Sequence, residues 1–268
     1  MPSVSTNHWN DHLLLKVVNI LAFVFLFSSN TYGAFQPHSA GRETYFTPAS
    51  YVFYTWTAID LLLLGYVIYQ FVDDSHDSIH GVGWRFPLIA VLNAIYVHVY
   101  VTRHFIVAFI FSLLLASSVS TVYYSLSAHY KPRSMGDVLF VHLPFSLWHA
   151  WSILTALISA FALFTHGHRH NSPSVITRVL VCIAVLFVTV TAVGYSFRDR
   201  RGDVAGAAVM SFFLWGLYEA QYERVIKYSA LAGAIISTLA VVKSLWFTFA
   251  SRDGAIALED DERRPLVA

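Results

Sequence analysis

The sequence predicts an all-α fold: a polytopic helical bundle embedded in a membrane, with about eight transmembrane helices, seven being the alternative count. Three observations predict it. Hydrophobic residues make up 56% of the 268 residues and charged residues only 12%, against a charged share of about 25% in soluble domains. Mean hydropathy is +0.56. The apolar residues also fall in long unbroken runs, and no polar linker separates two cores. A net charge of +1 and the lack of a Lys/Arg-rich block exclude a nucleic-acid-binding surface.

A spanning helix needs about 20 mostly apolar residues. The candidate stretches are 12–33, 49–72, 86–102, 105–127, 138–165, 174–197, 203–221 and 225–250. They are too long for barrel strands of about 10 residues, and backbone groups in hydrocarbon must be satisfied internally, so they are helices. The first contains the run Leu13 to Phe27, which could pass for a secretion signal. Only Lys16 supplies a basic flank and no small-residue cleavage pattern follows, so it is read as a retained helix. Between the third and fourth only Arg103 and His104 intervene, which requires a tight turn. The sixth holds Cys182, the single cysteine, which excludes an intrachain disulfide and a cysteine zinc cluster. The seventh is the weakest, because Asp203 and Glu219 trim its apolar length. The eighth carries Ser229, Gly233 and Ser237 at i, i+4 and i+8, a seam of small residues for close helix packing.

Loop Lys and Arg residues set orientation. With the N-terminus on one side, that side holds Arg85, Lys131, Arg133, Arg198, Arg200, Arg201, Arg252, Arg263 and Arg264. The opposite side holds Arg42, Arg103, Arg169, Arg178, Arg224 and Lys227. The excess places both termini in the cytosol.

Polar and aromatic residues inside the spans point to function. Phe53, Trp56 and Asp60 share one face of the second helix; Asn93, Tyr96 and Tyr100 share one face of the third; Pro144, Trp148, Trp151 and Thr155 share one face of the fifth. A carboxylate or amide at membrane depth faces the bundle interior or a cavity, and aromatics around a few polar groups are what small-molecule pockets use. Interhelical hydrogen bonding and ring packing explain any one residue equally well; three coincident stripes suggest a shared cavity.

The same residues carry a family resemblance. The run Thr47 to Gly65, with Pro48, Tyr51, Phe53, Trp56, Thr57 and Gly65, resembles the second helix of the translocator protein, or tryptophan-rich sensory protein, family, with Asp60 where that family has tyrosine. Leu92-Asn93-Ala94-Ile95-Tyr96 resembles its Leu-Asn-x-x-Trp in helix three, with Tyr96 for Trp. Leu143-Pro144-Phe145-Ser146-Leu147-Trp148 resembles its Leu-x-Pro-Tyr-x-x-Trp in helix five, with Phe145 for Tyr. The resemblance implies a five-helix bundle over 1–165; the remaining apolar stretches add a three-helix extension over 166–250, and the polar composition of 251–268 makes it a disordered tail, cytosolic by the charge count. It also implies an interior pocket for a tetrapyrrole or sterol-like lipid, closed by the first loop. Its expected lining is Phe53, Trp56, Asp60, Asn93, Tyr96, Phe145, Trp148 and Trp151. The partners expected are membrane lipids and a small apolar ligand, with a homodimer allowed; haem or porphyrin enters as ligand, not as resident cofactor.

Other readings compete. Asp60 could instead couple proton movement to transport, alone or paired with Lys243. His98 and His149, on helices three and five, could together ligate haem in an oxidoreductase. His166, His168 and His170 alternate in a loop and could bind zinc or copper weakly, although a solvated loop is the better reading. Asp73, Asp74, His76, Asp77 and His80 form a second cluster on the opposite face. No catalytic motif and no metal site with strong spacing is present. The tail Asp261-Glu262-Arg263-Arg264-Pro265-Leu266-Val267 is a solvated segment or, with Val267 in the second apolar position, resembles an acidic dileucine signal for a eukaryotic endosomal or vacuolar membrane.

Overall fold

The computed structural model describes residues 12–36, 42–72, 81–165, 172–198 and 202–262, with side chains described through residue 248. The 73–80 and 166–171 histidine and acidic clusters and the tail signal lie outside the described residues or side chains. Eight helical spans follow in order: α1 (Leu13–Phe35), α2 (Thr55–Tyr69, entered through a 3-10 turn, Ser50–Tyr54), α3 (Arg85–Val101), α4 (Phe105–His129), α5 (Met135–Asp137, Val138–His142 and Leu143–Phe164 end to end), α6 (Val175–Phe197), α7 (Val204–Ala220) and α8 (Arg224–Glu262). No strand occurs among the described residues.

Six of these spans are long and apolar enough to cross a membrane. The other two, α3 and α7, have 17 residues each, the lower bound for a crossing. The doubtful seventh helix is therefore present. Much of it lies inside the protein: Ala207, Met210, Phe213, Leu214 and Leu217 are fully buried.

Local chemistry sets the helix ends. At the start of α5, Ser134 and Asp137 form a reciprocal capping box. Asp203 caps α7 by accepting from the Gly206 N–H at 3.1 Å, and Ser174 caps α6 by accepting from Thr177 at 3.1 Å. The α3–α4 reversal is as tight as expected, with Arg103 in the left-handed region (φ 63°). Within α5, Pro144 has no N–H to give the preceding turn, and that turn widens to π geometry over Val138–His142.

Helices α1 and α3, α3 and α4, and α4 and α5 pack as neighbours, with α2 against α1 and α5. Helices α6, α7 and α8 pack on one another, and α7 joins this trio to α5. Part of the small-residue seam of α8 meets α6: a Cβ on Gly233 would stand 2.5 Å from the Thr189 hydroxyl. The segment before α2 is drawn into the protein. Thr44, Tyr45, Phe46 and Val52 are buried, and the Phe46 ring sits 4.8 Å from Phe161 of α5 and 5.1 Å from Phe213 of α7. The Ala49 N–H donates to the Gly216 carbonyl at 2.9 Å, and Gln221 Nε2 donates to the Thr47 carbonyl at 2.9 Å. Gly216 is required here, since a Cβ would overlap Val52.

Candidate functional site

Two groups of residues occupy the interior of α1–α5. The first is aromatic. Trp56 on α2 meets Trp148 and Trp151 on α5 edge to face, with centroids 6.2 and 6.3 Å apart. Phe53 meets Trp151 at 5.8 Å, while Phe145 stacks on Trp148 at 6.2 Å and meets Tyr66 at 5.6 Å. Trp148, Trp151 and Phe145 are buried, Trp56 is partly buried, and Phe53 is 40% exposed, at the edge of the group. The helical register explains this. Phe145, Trp148 and Trp151 at i, i+3 and i+6 of α5, and Phe53 and Trp56 at i and i+3 across the entry to α2, present rings on the facing sides of two packed helices. The indole Nε1 atoms of Trp148 and Trp151 are buried without a hydrogen-bond partner, where a partner is the rule.

The second group is polar. Asn93 Nδ2 on α3 donates to Asn30 Oδ1 on α1 at 2.8 Å. Asn30 Nδ2 in turn donates to both carboxylate oxygens of Asp60 on α2, at 3.0 and 3.3 Å. All three side chains are buried, and Asn93 Oδ1 has no partner. Asn30 thus links two of the expected residues, and sequence reasoning missed it. A single amide near the end of an apolar run carries no pattern of its own. Tyr96, the third residue of the α3 stripe, has its hydroxyl accepting from Ser159 of α5 at 3.2 Å.

Two pairings considered from the sequence do not form. Lys243 donates to the Ser196 carbonyl at 2.7 Å and sits 4.0 Å from the Phe197 ring, so it caps the end of α6 and does not pair with Asp60. The proposed His98–His149 haem ligation fails on geometry. His98 is exposed, whereas His149 is buried and uses both ring nitrogens. Its Nε2 meets the Ser120 hydroxyl at 3.0 Å and its Nδ1 meets the Tyr195 hydroxyl at 2.6 Å. The Ser120 hydroxyl donates to the Ala116 carbonyl at 2.6 Å, so it accepts from Nε2–H, and the tautomer leaves Nδ1 to accept from Tyr195.

That histidine belongs to a joint between the two halves of the chain. The Tyr123 ring stacks on His149 at 4.2 Å. Tyr123 and Ser146 hydroxyls both donate to Asp203 Oδ2, at 2.7 and 2.6 Å. The Arg198 guanidinium lies 4.5 Å from the Tyr123 ring, a cation–π distance. Helices α4, α5, α6 and α7 all contribute to this cluster. Among the described residues no group of His, Cys, Asp and Glu has the arrangement of a metal site.

Comparison with known proteins agrees with this architecture. No curated protein and no solved structure matches the chain. One family profile, described as TSPO-like protein, matches residues 9–243 and so runs through α6, α7 and the first half of α8 as well as the first five helices. With that match across most of its length, the chain is an integral membrane protein of the TSPO-like family.

Proposed function

We propose that this protein binds, and in doing so carries or presents, an apolar small molecule of the tetrapyrrole or sterol-like class in the interior between α1 and α5. The observation that carries the reading is the indole group of α2 and α5, with two buried indole N–H groups lacking partners. Flat ring faces suit a flat apolar ligand, and unpaired N–H groups in an apolar surround are suited to an oxygen or nitrogen on that ligand. Phe53, Trp56, Phe145, Trp148 and Trp151 supply the faces; Asp60, Asn93 and Tyr96 supply the polar end.

Titration of the purified protein in nanodiscs with an uncharged porphyrin, protoporphyrin dimethyl ester, tests this. Binding should shift porphyrin absorbance and quench tryptophan emission. Trp148→Phe, which keeps one aromatic ring but removes the N–H and part of the ring volume, should weaken affinity by at least about 3- to 10-fold, the worth of roughly one hydrogen bond. Equal binding by wild type and a Trp56→Ala/Trp148→Ala double variant sinks the assignment. A proton-coupled transporter is the second reading, favoured by the burial of Asp60. It requires solute flux in proteoliposomes that follows a pH gradient and vanishes in Asp60→Asn.

A further inference from the structure

We infer that the polar end of the ligand is a hydrogen-bond donor bearing positive charge, a protonated primary or secondary amine on a flat or polycyclic apolar body. The inference rests on the binding reading above and narrows its ligand. An ionised carboxylate only accepts hydrogen bonds, so Asp60 fixes which way the Asn30 amide points: Nδ2 toward Asp60, at 3.0 and 3.3 Å. Asn30 Oδ1 is then turned to α3 and must meet the Asn93 Nδ2 group, as it does at 2.8 Å. Asn93 in turn is left with its Oδ1 as the open end, buried and without a partner.

The chain Asp60–Asn30–Asn93 therefore ends in an acceptor on both sides, and one of those ends carries negative charge. Among the described residues Asp60 accepts from Asn30 and from no Lys or Arg. A buried charge without a counter-ion is costly, and a buried acceptor without a donor costs about 1–3 kcal/mol. An ammonium group offers several donors and the missing charge at once. Trp56 stands one turn from Asp60 on the same helix face, where an indole can add cation–π attraction. A carboxylate-headed ligand would set its charge against the Asp60 carboxylate and the open Asn93 acceptor.

Three probes with one ring system separate the possibilities: pyrenemethylamine, pyrenemethanol and pyrenecarboxylate. Each is titrated against the protein in phosphatidylcholine nanodiscs, with energy transfer from tryptophan to pyrene as the readout and empty discs as background. Wild type should bind the amine about 10- to 100-fold more tightly than the alcohol, the range of a charge-assisted hydrogen bond. The carboxylate should bind most weakly. Asp60→Asn, a substitution of the same shape, should bring the amine down to the alcohol's affinity, with a much smaller loss for the alcohol. Asn93→Leu should reduce the amine's preference by a smaller factor and serves if Asp60→Asn fails to fold. Equal binding of all three probes, preference for the carboxylate, or an amine preference that survives both variants overturns the head-group assignment while leaving the aromatic interior standing. Failure of every probe to bind overturns both.

Discussion

Replacing Asp203 with alanine is the sharpest test of how the two halves are joined. Its carboxylate accepts from the Tyr123 hydroxyl at 2.7 Å, the Ser146 hydroxyl at 2.6 Å and the Gly206 N–H at 3.1 Å. Tyr123 and Ser146 are buried, so truncation leaves two interior hydroxyls without an acceptor, at about 1–3 kcal/mol each if neither finds water. Loss of the α7 cap adds about 1 kcal/mol. Hydroxyls can rotate and water can enter at a helix end, so the expected loss is about 2–5 kcal/mol in total. Asp203→Asn keeps one oxygen, which serves the cap while the NH2 replaces the acceptor of the two hydroxyls, and should cost about 1–2 kcal/mol. The assay is reversible unfolding in mixed micelles followed by tryptophan emission, with Tyr123→Phe and the Asp203→Ala/Tyr123→Phe pair completing a cycle. The pair should be less destabilised than the sum of the singles by about 1 kcal/mol or more. Strict additivity, or an Asp203→Ala protein within about 0.5 kcal/mol of wild type, would refute the joint.

Three further outcomes follow from the packing. Tyr195→Phe removes the hydroxyl that donates to His149 Nδ1 and should destabilise by about 1–3 kcal/mol, whereas Tyr124→Phe, whose ring lies 5.8 Å from the same histidine, should be near neutral in the same unfolding assay. Gly216→Leu drives a side chain into Val52; it should release the segment before α2 and speed maleimide labelling of a cysteine placed at Phe46, with labelling at the wild-type rate counting against the contact. Gly65→Ala pushes into the Phe140 ring across the α2–α5 contact and should cost about 1–3 kcal/mol by overpacking, read as a lower unfolding midpoint.

The spans were legible because lipid leaves a chain few choices. Long apolar runs must be helical there, and most of their ends were placed within a few residues of those observed, α5 beginning at 135 instead of 138 because of its capping box; the exceptions are α2, whose first residues form a 3-10 turn, and α8, which runs on to Glu262 instead of 250. The aromatic stripes of α2 and α5 were legible from helical period alone. What could not be read was register between helices. Nothing in the first apolar run marks Asn30 as the link between Asp60 and Asn93. His149 looked like a haem ligand while its neighbours were unknown; Ser120 lies 29 residues before it and Tyr195 lies 46 after. Asp203 was read as a charge that shortens the seventh helix. It is the cap of that helix and an acceptor for α4 and α5, and an Asp three residues before Gly206, at the head of an apolar run, is the pattern that could have shown it.

The anchoring of the segment before α2 sets a clock. Parting it from α5 and α7 would expose Tyr45, Phe46 and Val52, at about 1.5–3 kcal/mol for each large apolar side chain. Two backbone acceptors, the carbonyls of Gly216 and Thr47, would also have to trade their partners for water. A gap of about 6 kcal/mol leaves roughly one molecule in ten thousand parted at any moment. A molecule held between α1 and α5 would then exchange through this end only in rare openings. Its dwell time would be governed by α7, a helix that supplies none of the aromatic faces assigned to the ligand.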